Sequence, residues 1–455
     1  MSNRVFASLS LFLLLAGATD AQTRKFSAAA LQSDIQYLHE KLEANHPGLY
    51  LYNSKATIDR VFDSLRNNIR DSMTGSAFYY HISCISSVIK DGHTILLPDP
   101  ASTDYHNKHS RFLPYYFAVI DGRLYVNKVC TPDTRIPAGA EITSINGLDA
   151  ASLLNQLMER QIRDGNNLSY PAWILQNYFR EYYSFHFGHA ERYEIGYKLN
   201  GETDSATIDG LVKDSIYHYR QLYFPNISFG KRAGEGLTLD LSKSGLYALL
   251  GVRDFHNEAL KDAYKQNFDK TIRHYFSLIN ERHIKNLVLD LRGNQGGDIE
   301  NGVTLLSYLL NEPFAVLQGY ARVGRKGELK NCGGPALGMH KPKPGRFTGK
   351  LYVLVDGGSF SNSGIVASCL KAHKRAVFIG EETGGNPVVI NGDSKDFQLP
   401  NSRLYIEIPT KQYIIADKAS NTGRGVFPDH SVRKTILDLV RNNDKALSYA
   451  IGLLD

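Results

Sequence analysis

Apolar positions recur at three- and four-residue spacing from Ser27 to about Ser72, with Leu31, Ile35, Leu38 and Leu42 in one stripe and Ile58, Val61, Phe62 and Leu65 in another. That period marks amphipathic helices, so a small helical unit is expected there. A second amphipathic stretch, Tyr79 to Ile89, runs into KDGHTILLPDP. Asp91-Gly92 signals a turn and Thr94 to Leu97 an apolar strand, which leaves His93 at their junction. Short strands follow: Tyr115 to Ile120 and Leu124 to Val129 flank an Asp121-Gly122 turn. In IPAGAEITSINGLDAASLLNQL a strand and an Asn146-Gly147 turn lead into a helix. From Tyr183 to Ser228 the pattern predicts alternating strands with a hairpin at Asn200-Gly201.

Past Leu246 the pattern changes. Strands are expected at Tyr247 to Val252, Asn286 to Leu291 and Leu351 to Val355. They alternate with helices at Glu258 to Ile284, Asp298 to Asn311 and Gly364 to His373. Largely apolar strands interleaved with helices imply a sheet covered on both faces, an α/β core.

Composition narrows the class. The chain has 455 residues, 42% hydrophobic and 22% charged, an ordinary globular balance sufficient for two or three domains. Lys and Arg exceed Asp and Glu by 52 to 46, with no dense basic block, so nucleic acid is not an expected partner. Residues 1–21 carry one Arg, an apolar run from Phe6 to Ala18 and then small residues, the pattern of a secretory signal peptide. The run is shorter than the ~20 residues a bilayer span needs. A secreted or periplasmic protein with no transmembrane segment after cleavage is therefore expected. Cys84, Cys130, Cys332 and Cys369 form no CxxC pair. They read as buried side chains or incidental disulfides, and neither metal nor cofactor is expected.

Two segments carry candidate chemistry. In NLVLDLRGNQGGDIENG an apolar strand meets a Gly-rich turn and a helix, and backbone amides beside a helix N-terminus suit an anion or oxyanion. Neither G-x-G-x-x-G nor a Walker A loop is present. The second segment, LYVLVDGGSFSNSGIVASCLKAHKRAVFIGEETGGN, repeats strand, glycines, Ser-rich turn and helix, which can expose a serine hydroxyl. It is not a GxSxG elbow. Ser368 to Lys371 reads S-x-x-K, but Ser368 falls inside the expected helix and no partner motif accompanies it.

Together with GRGVFPDH, these segments resemble the C-terminal-processing (tail-specific) serine peptidase family, in the branch related to the tricorn core protease. Residues Leu113 to Leu157 resemble a PDZ module. The resemblance implies a multidomain α/β protein with a ClpP/crotonase-like core. Its expected parts are a signal peptide at 1–21, a helical unit at 22–105, a PDZ-like module at 106–170, a β-rich insertion at 171–240 and the protease core at 241–455. It implies Ser361 as nucleophile, with the amides of Asn362 and of Gly296 or Gly297 as oxyanion hole. Where part of the family carries a lysine base, this chain has Asn386, and the tricorn-like branch points instead to His93. For a third catalytic group Asp417, Glu381, Glu382 and Asp393 are the acidic alternatives, whereas Asp429 and His430 read as structural. The implied activity is hydrolysis of peptide or unfolded-protein substrates, with the PDZ-like module capturing an extended segment. An inactive binding protein and a serine esterase are the alternatives.

Overall fold

The structure, a computed structural model, describes residues 24–225, 236–325, 327–416 and 422–454. The segment read as a signal peptide lies outside them. The expected helical unit begins with α1 (Ala28–Asn45) and α2 (Lys55–Asn67), capped by the Ser27 and Ser54 side chains. It continues through α3 (Gly75–Ile82) and α4 (Ile85–Ile89) to the short strand β1 (Ile95–Leu97). The apolar stripes of α1 and α2 face each other, burying Leu31, Ile35, Leu38, Ile58 and Phe62.

A five-stranded antiparallel path of β2 (Tyr115–Ile120), β3 (Arg123–Val129), β4 (Glu141–Ile145), β5 (Arg192–Leu199) and β6 (Glu202–Asp209) forms the next sheet. The β5–β6 hairpin turns at Asn200 as expected, yet it extends this sheet rather than standing as a separate insertion. Between β4 and β5 run α5 (Ala150–Glu159) and the long α6 (Ser169–Phe187), and α7 (Lys213–Tyr223) follows β6. Strand pattern was therefore misread at both ends of 183–228. Aromatic residues dominate both helices, and such side chains serve a packed helix as well as a strand.

Helix α6 runs along β2. Phe179 packs on Phe117 with ring centroids 4.8 Å apart, and the Arg180 guanidinium lies 5.2 Å from the Tyr116 ring. These contacts pack α6 against β2.

The core sheet has the order β7 (Leu237–Leu241), β8 (Tyr247–Val252), β9 (Asn286–Asp290), β12 (Lys350–Val355), β13 (Val377–Gly380), β16 (His430–Ser431), parallel from β8 onward. Every residue of β9 is buried, as a sheet covered on both faces requires. The helix expected over Glu258 to Ile284 is two, α8 (Asn257–Tyr264) and α9 (Phe268–Glu281). Lys265 adopts a left-handed φ of 56°, Gln266 bonds both the amide and the carbonyl of Leu237, and Asn267 caps α9. Helix α10 (Ile299–Leu309) follows β9, and α11 (Asn362–Ala372) follows β12.

A second sheet joins the units. Its path is β11 (Leu329–Cys332), β10 (Leu317–Val323), β15 (Tyr405–Ile415), β14 (Val389–Gln398), and β1 pairs with the start of β15 through Leu97↔Tyr405, Leu96↔Ile406 and Ile95↔Glu407. Leu399, Leu404, Ile406 and Ile408 bury themselves among the α1 and α2 side chains. Buried Asp34 of α1 accepts the amides of Asn401 and Ser402 at 2.9 and 2.7 Å. The helical unit is therefore welded to the core. All four cysteines are free.

Gly357, after β12, lies against the first turn of α6, where a Cβ would sit 2.2 Å from the Ser169 carbonyl oxygen. Gly357→Ala is expected to destabilise the fold by about 1–3 kcal/mol through this overpacking, read as a lower denaturant midpoint with unchanged slope.

Candidate active site

Ser361 sits where β12 turns into α11. Its φ of 54° and ψ of −124° are unusual for a residue with a Cβ, a strained elbow of the kind that pushes a side chain into the open. Neighbouring bonds hold the turn: the Ser359 hydroxyl donates to the Leu291 carbonyl at 2.9 Å, and the Phe360 amide to the Asn294 carbonyl at 3.0 Å. The Ile365 amide donates to the Ser361 carbonyl at 3.0 Å.

His93 arrives from the helical unit, 268 positions away in sequence, with Nε2 3.0 Å from Ser361 Oγ. Its ring stacks on Phe360 at 4.6 Å between centroids, and Phe360 stacks on Tyr170 of α6 at 4.1 Å. Burial holds the His93 imidazole below its usual pKa, against the opposing pull of Asp91.

The Gly-rich turn after β9 faces the elbow. Gly296 and Gly297 adopt φ of 99° and 135°, and a Cβ on Gly296 would lie 2.7 Å from Ser361 Cβ. The Gly296 amide donates to Asn294 Oδ1 at 2.8 Å. Of the two glycines expected as donors, Gly296 is therefore committed elsewhere. The Gly297 amide and the Asn362 amide, in the first turn of α11, have no hydrogen-bond acceptor among the described residues.

Of the four acids expected to orient His93, the three that are described face other partners. Glu382 accepts from Arg424 Nε at 2.9 Å, the Gly425 amide at 2.8 Å and Asn167 Nδ2 at 3.1 Å. Glu381 lies near Asp356, its pKa raised by burial and by that neighbour's charge. Asp393 pairs with Lys411 of the neighbouring strand β15, and Asp417 lies outside the described residues. Asp429 accepts from Lys371 and the Phe378 amide, and His430 enters β16. Ser368 donates to the Pro387 carbonyl inside α11, remote from any S-x-x-K chemistry.

Two carboxylates that the sequence reading did not single out stand beside His93 instead. Asp91 Oδ2 accepts the Thr94 hydroxyl at 2.7 Å and the His93 amide at 3.2 Å, and faces His46 Nε2 at 3.3 Å. Its Oδ1 accepts Asn391 Nδ2 at 2.8 Å. Burial works to raise the Asp91 pKa, but His46 and these donors outweigh it and hold the carboxyl well below the usual range. Asp164, between α5 and α6, accepts the Gly92 amide at 2.9 Å and the Asn386 amide at 3.1 Å. Burial and the Asp91 charge push its pKa up to about 7. Asn386 Nδ2 donates to the Tyr52 hydroxyl at 2.6 Å and its Oδ1 accepts the Val388 amide, so this residue supplies no base to Ser361. The visible signal for both acids was an Asp-Gly pair, which reads as a turn before it reads as chemistry.

Asp91, His93 and Asp164 bring one donor atom each to within 4.8 Å of one another. Their oxygens already accept hydrogen bonds from amides, a hydroxyl and a side-chain NH₂, which suits a proton network rather than a cation. In front of Ser361 opens a cleft of about 600 Å³, whose lining includes Ile299, Ile365, Ile390, Tyr320 and Tyr413.

Comparison with known proteins places these features in a lineage. A carboxyl-terminal-processing peptidase 2, chloroplastic, from Arabidopsis thaliana is 28% identical over 176 residues, 38% of this chain and 31% of that one. A carboxyl-terminal-processing protease from Synechocystis sp. is 30% identical over 176 residues, 38% of this chain and 37% of that one. The match thus spans about a third of the length of these curated relatives. Among solved structures, mature CPAF complexed with lactacystin gives a TM-score of 0.68 at 13% identity, covering 94% of this chain and 97% of that one. Mature CPAF gives 0.65 at 13% identity, covering 93% and 96%. At such identity the likeness establishes a common fold. Residues 247–432, which include the Gly-rich turn and the Ser361 elbow, match the model of peptidase family S41.

Proposed function

We propose that the protein is a serine peptidase of the carboxyl-terminal-processing type, in which Ser361 attacks the peptide carbonyl and His93 serves first as base and then as acid. The observation that carries this reading is the 3.0 Å approach of His93 Nε2 to Ser361 Oγ on a strained elbow. A surface histidine and serine meet by chance; a pair delivered from two units onto such an elbow has been built.

In this reading the Ser361 hydroxyl proton passes to Nε2 as its oxygen bonds to the carbonyl carbon, and the carbonyl electrons move onto oxygen. The Gly297 and Asn362 amides, together with the α11 N-terminus, receive that negative charge. Collapse of the tetrahedral adduct breaks the C–N bond, and the Nε2 proton leaves with the amine. Water, deprotonated by His93, then releases the acyl group and restores Ser361. Depression of the His93 pKa favours the neutral imidazole that begins the cycle.

Substrates are extended peptide or unfolded protein entering the cleft in front of Ser361, with the PDZ-like sheet capturing an extended segment. No helix among the described residues is long and apolar enough to cross a membrane. The signal-like residues 1–21 support action outside the cytoplasm, secreted or periplasmic.

Ser361→Ala and His93→Ala are each expected to lower kcat on an unfolded protein by roughly 10⁴-fold or more, with a residual rate from the oxyanion site. Wild-type rates in either variant would refute the dyad. A fluorophosphonate should label Ser361 in the native chain and fail in both variants, whereas silence in the native chain would favour a binding protein. Asn386→Lys in the His93→Ala background is expected to restore no activity, because the position faces Tyr52 and Val388.

A further inference from the structure

We propose that Asp164 is the positioning acid of this site: its carboxylate receives the hydrogen bond from His93 Nδ1–H and clamps the His93 turn to the Asn386 loop. The inference rests on Ser361 and His93 acting as nucleophile and base.

Three observations converge on it. The first is an unmet need. His93 Nδ1 is buried and has no hydrogen-bond partner among the described residues. Because Nε2 must accept the serine proton, the neutral ring carries its hydrogen on Nδ1. That hydrogen, and the positive charge arriving during catalysis, need an acceptor away from water.

The second is capacity. Among the described residues only Asp91 and Asp164 bring a carboxylate oxygen into the cluster with His93. Asp91 is crowded: one oxygen receives the Thr94 hydroxyl and the His93 amide and faces His46, and the other receives Asn391. Since the Gly48 amide donates to His46 Nδ1 at 3.0 Å, the His46 hydrogen sits on Nε2, the atom 3.3 Å from Asp91. Each Asp164 oxygen accepts one amide, from Gly92 or from Asn386, which leaves a lone pair on each.

The third is placement. The Gly165 amide donates to the Lys90 carbonyl at 2.9 Å, and the Asn166 amide to the Gly423 carbonyl at 2.7 Å. The segment bearing Asp164 is thereby pinned between the His93 turn and the loop that ends the family-matched region. An acid whose two amide partners come from the two sides of the cleft fixes the ring as well as accepting from it.

The charge environment fits the role. Asp164 is faced by Asp91 and His93 from the turn, with His46 behind Asp91 and the Tyr52 hydroxyl beside Asn386. Burial and the Asp91 charge keep Asp164 near neutrality, so an imidazolium at His93 offers it the counter-charge it lacks. Asp164 and His93 then titrate as a unit. As pH rises through neutrality the unit loses a proton, and kcat/KM should rise along that limb. With asparagine at 164 the limb belongs to His93 alone and moves to lower pH, because burial depresses that imidazole. Stability follows the opposite course. A carboxyl raised in the folded state contributes fully below its unfolded pKa, and the contribution is lost as pH rises towards about 7.

The test uses the full chain, comparing native protein with Asp164→Asn and Asp164→Ala. Peptidase turnover, fluorophosphonate labelling of Ser361 and denaturant midpoints are measured across the neutral range, with the proton spectrum of His93 recorded in native protein and Asp164→Ala. The expected result is a loss of kcat by about 10²–10⁴-fold with KM within about threefold, an acid limb moved to lower pH in Asp164→Asn, and a downfield Nδ1–H resonance lost in Asp164→Ala. A folded Asp164→Asn whose kcat and labelling rate stay within about twofold of native would overturn the inference. So would an acid limb that does not move. If neither variant folds, the native spectrum decides: a downfield His93 Nδ1–H supports the assignment and its absence refutes it. A native chain that is neither labelled nor active would sink the peptidase reading itself, whereas a native chain labelled no faster than Asp164→Asn sinks this inference alone.

Discussion

Everything at the site depends on three residues, Ile95, Leu96 and Leu97, finding a partner in β15. That pairing carries His93 from a helical unit to a serine presented by the core sheet. So short a strand has little stability of its own, since ordering each residue costs about 1–2 kcal/mol of backbone entropy. Its support comes from the packing around it: the α1–α2 side chains close over Leu404, Ile406 and Ile408, and Asp34 ties α1 to the turn at Asn401 and Ser402. The helical unit is therefore a wall of the active site, and its core and the placing of the base are one structural problem.

The buried charges obey a related economy. Two carboxylates close together in a dry site cannot both ionise cheaply, and the chain resolves the conflict by unequal solvation. Asp91 collects hydroxyl, amide and imidazole donors and keeps its charge, whereas Asp164 receives two amides and is driven towards neutrality. Such an arrangement stores a demand for positive charge beside His93. On the far side of the ring, the Gly297 and Asn362 amides offer the complementary welcome to negative charge.

Helix α6 connects this centre to the β2 sheet. Tyr170 at its start stacks on Phe360, the residue before Ser361, and Trp173 packs on Gly358, while Phe179 and Arg180 contact Phe117 and Tyr116 of β2. Between the halves Tyr178 departs from helical geometry, with φ of −131°. The sheet resembling a peptide-binding module is thus coupled to the Ser361 elbow through α6.

Local patterning determined a good deal of this. Periodicity located the α1 and α2 stripes and the buried strands β8, β9 and β12, because burial of one helix face or both sheet faces leaves a one-dimensional trace. The Ser-rich elbow and the Gly-rich turn were legible for the same reason, as both are continuous in sequence. What the sequence could not announce was anything built from separated segments. Asp91 reads as an Asp-Gly turn and Asp164 lies in no segment marked for chemistry, while Glu381, Glu382 and Asp393, closer in sequence to the serine, face other partners. Which acids stand beside His93 and which glycine amide stays free were decided by tertiary packing, because each depends on which groups have spent their hydrogen bonds elsewhere.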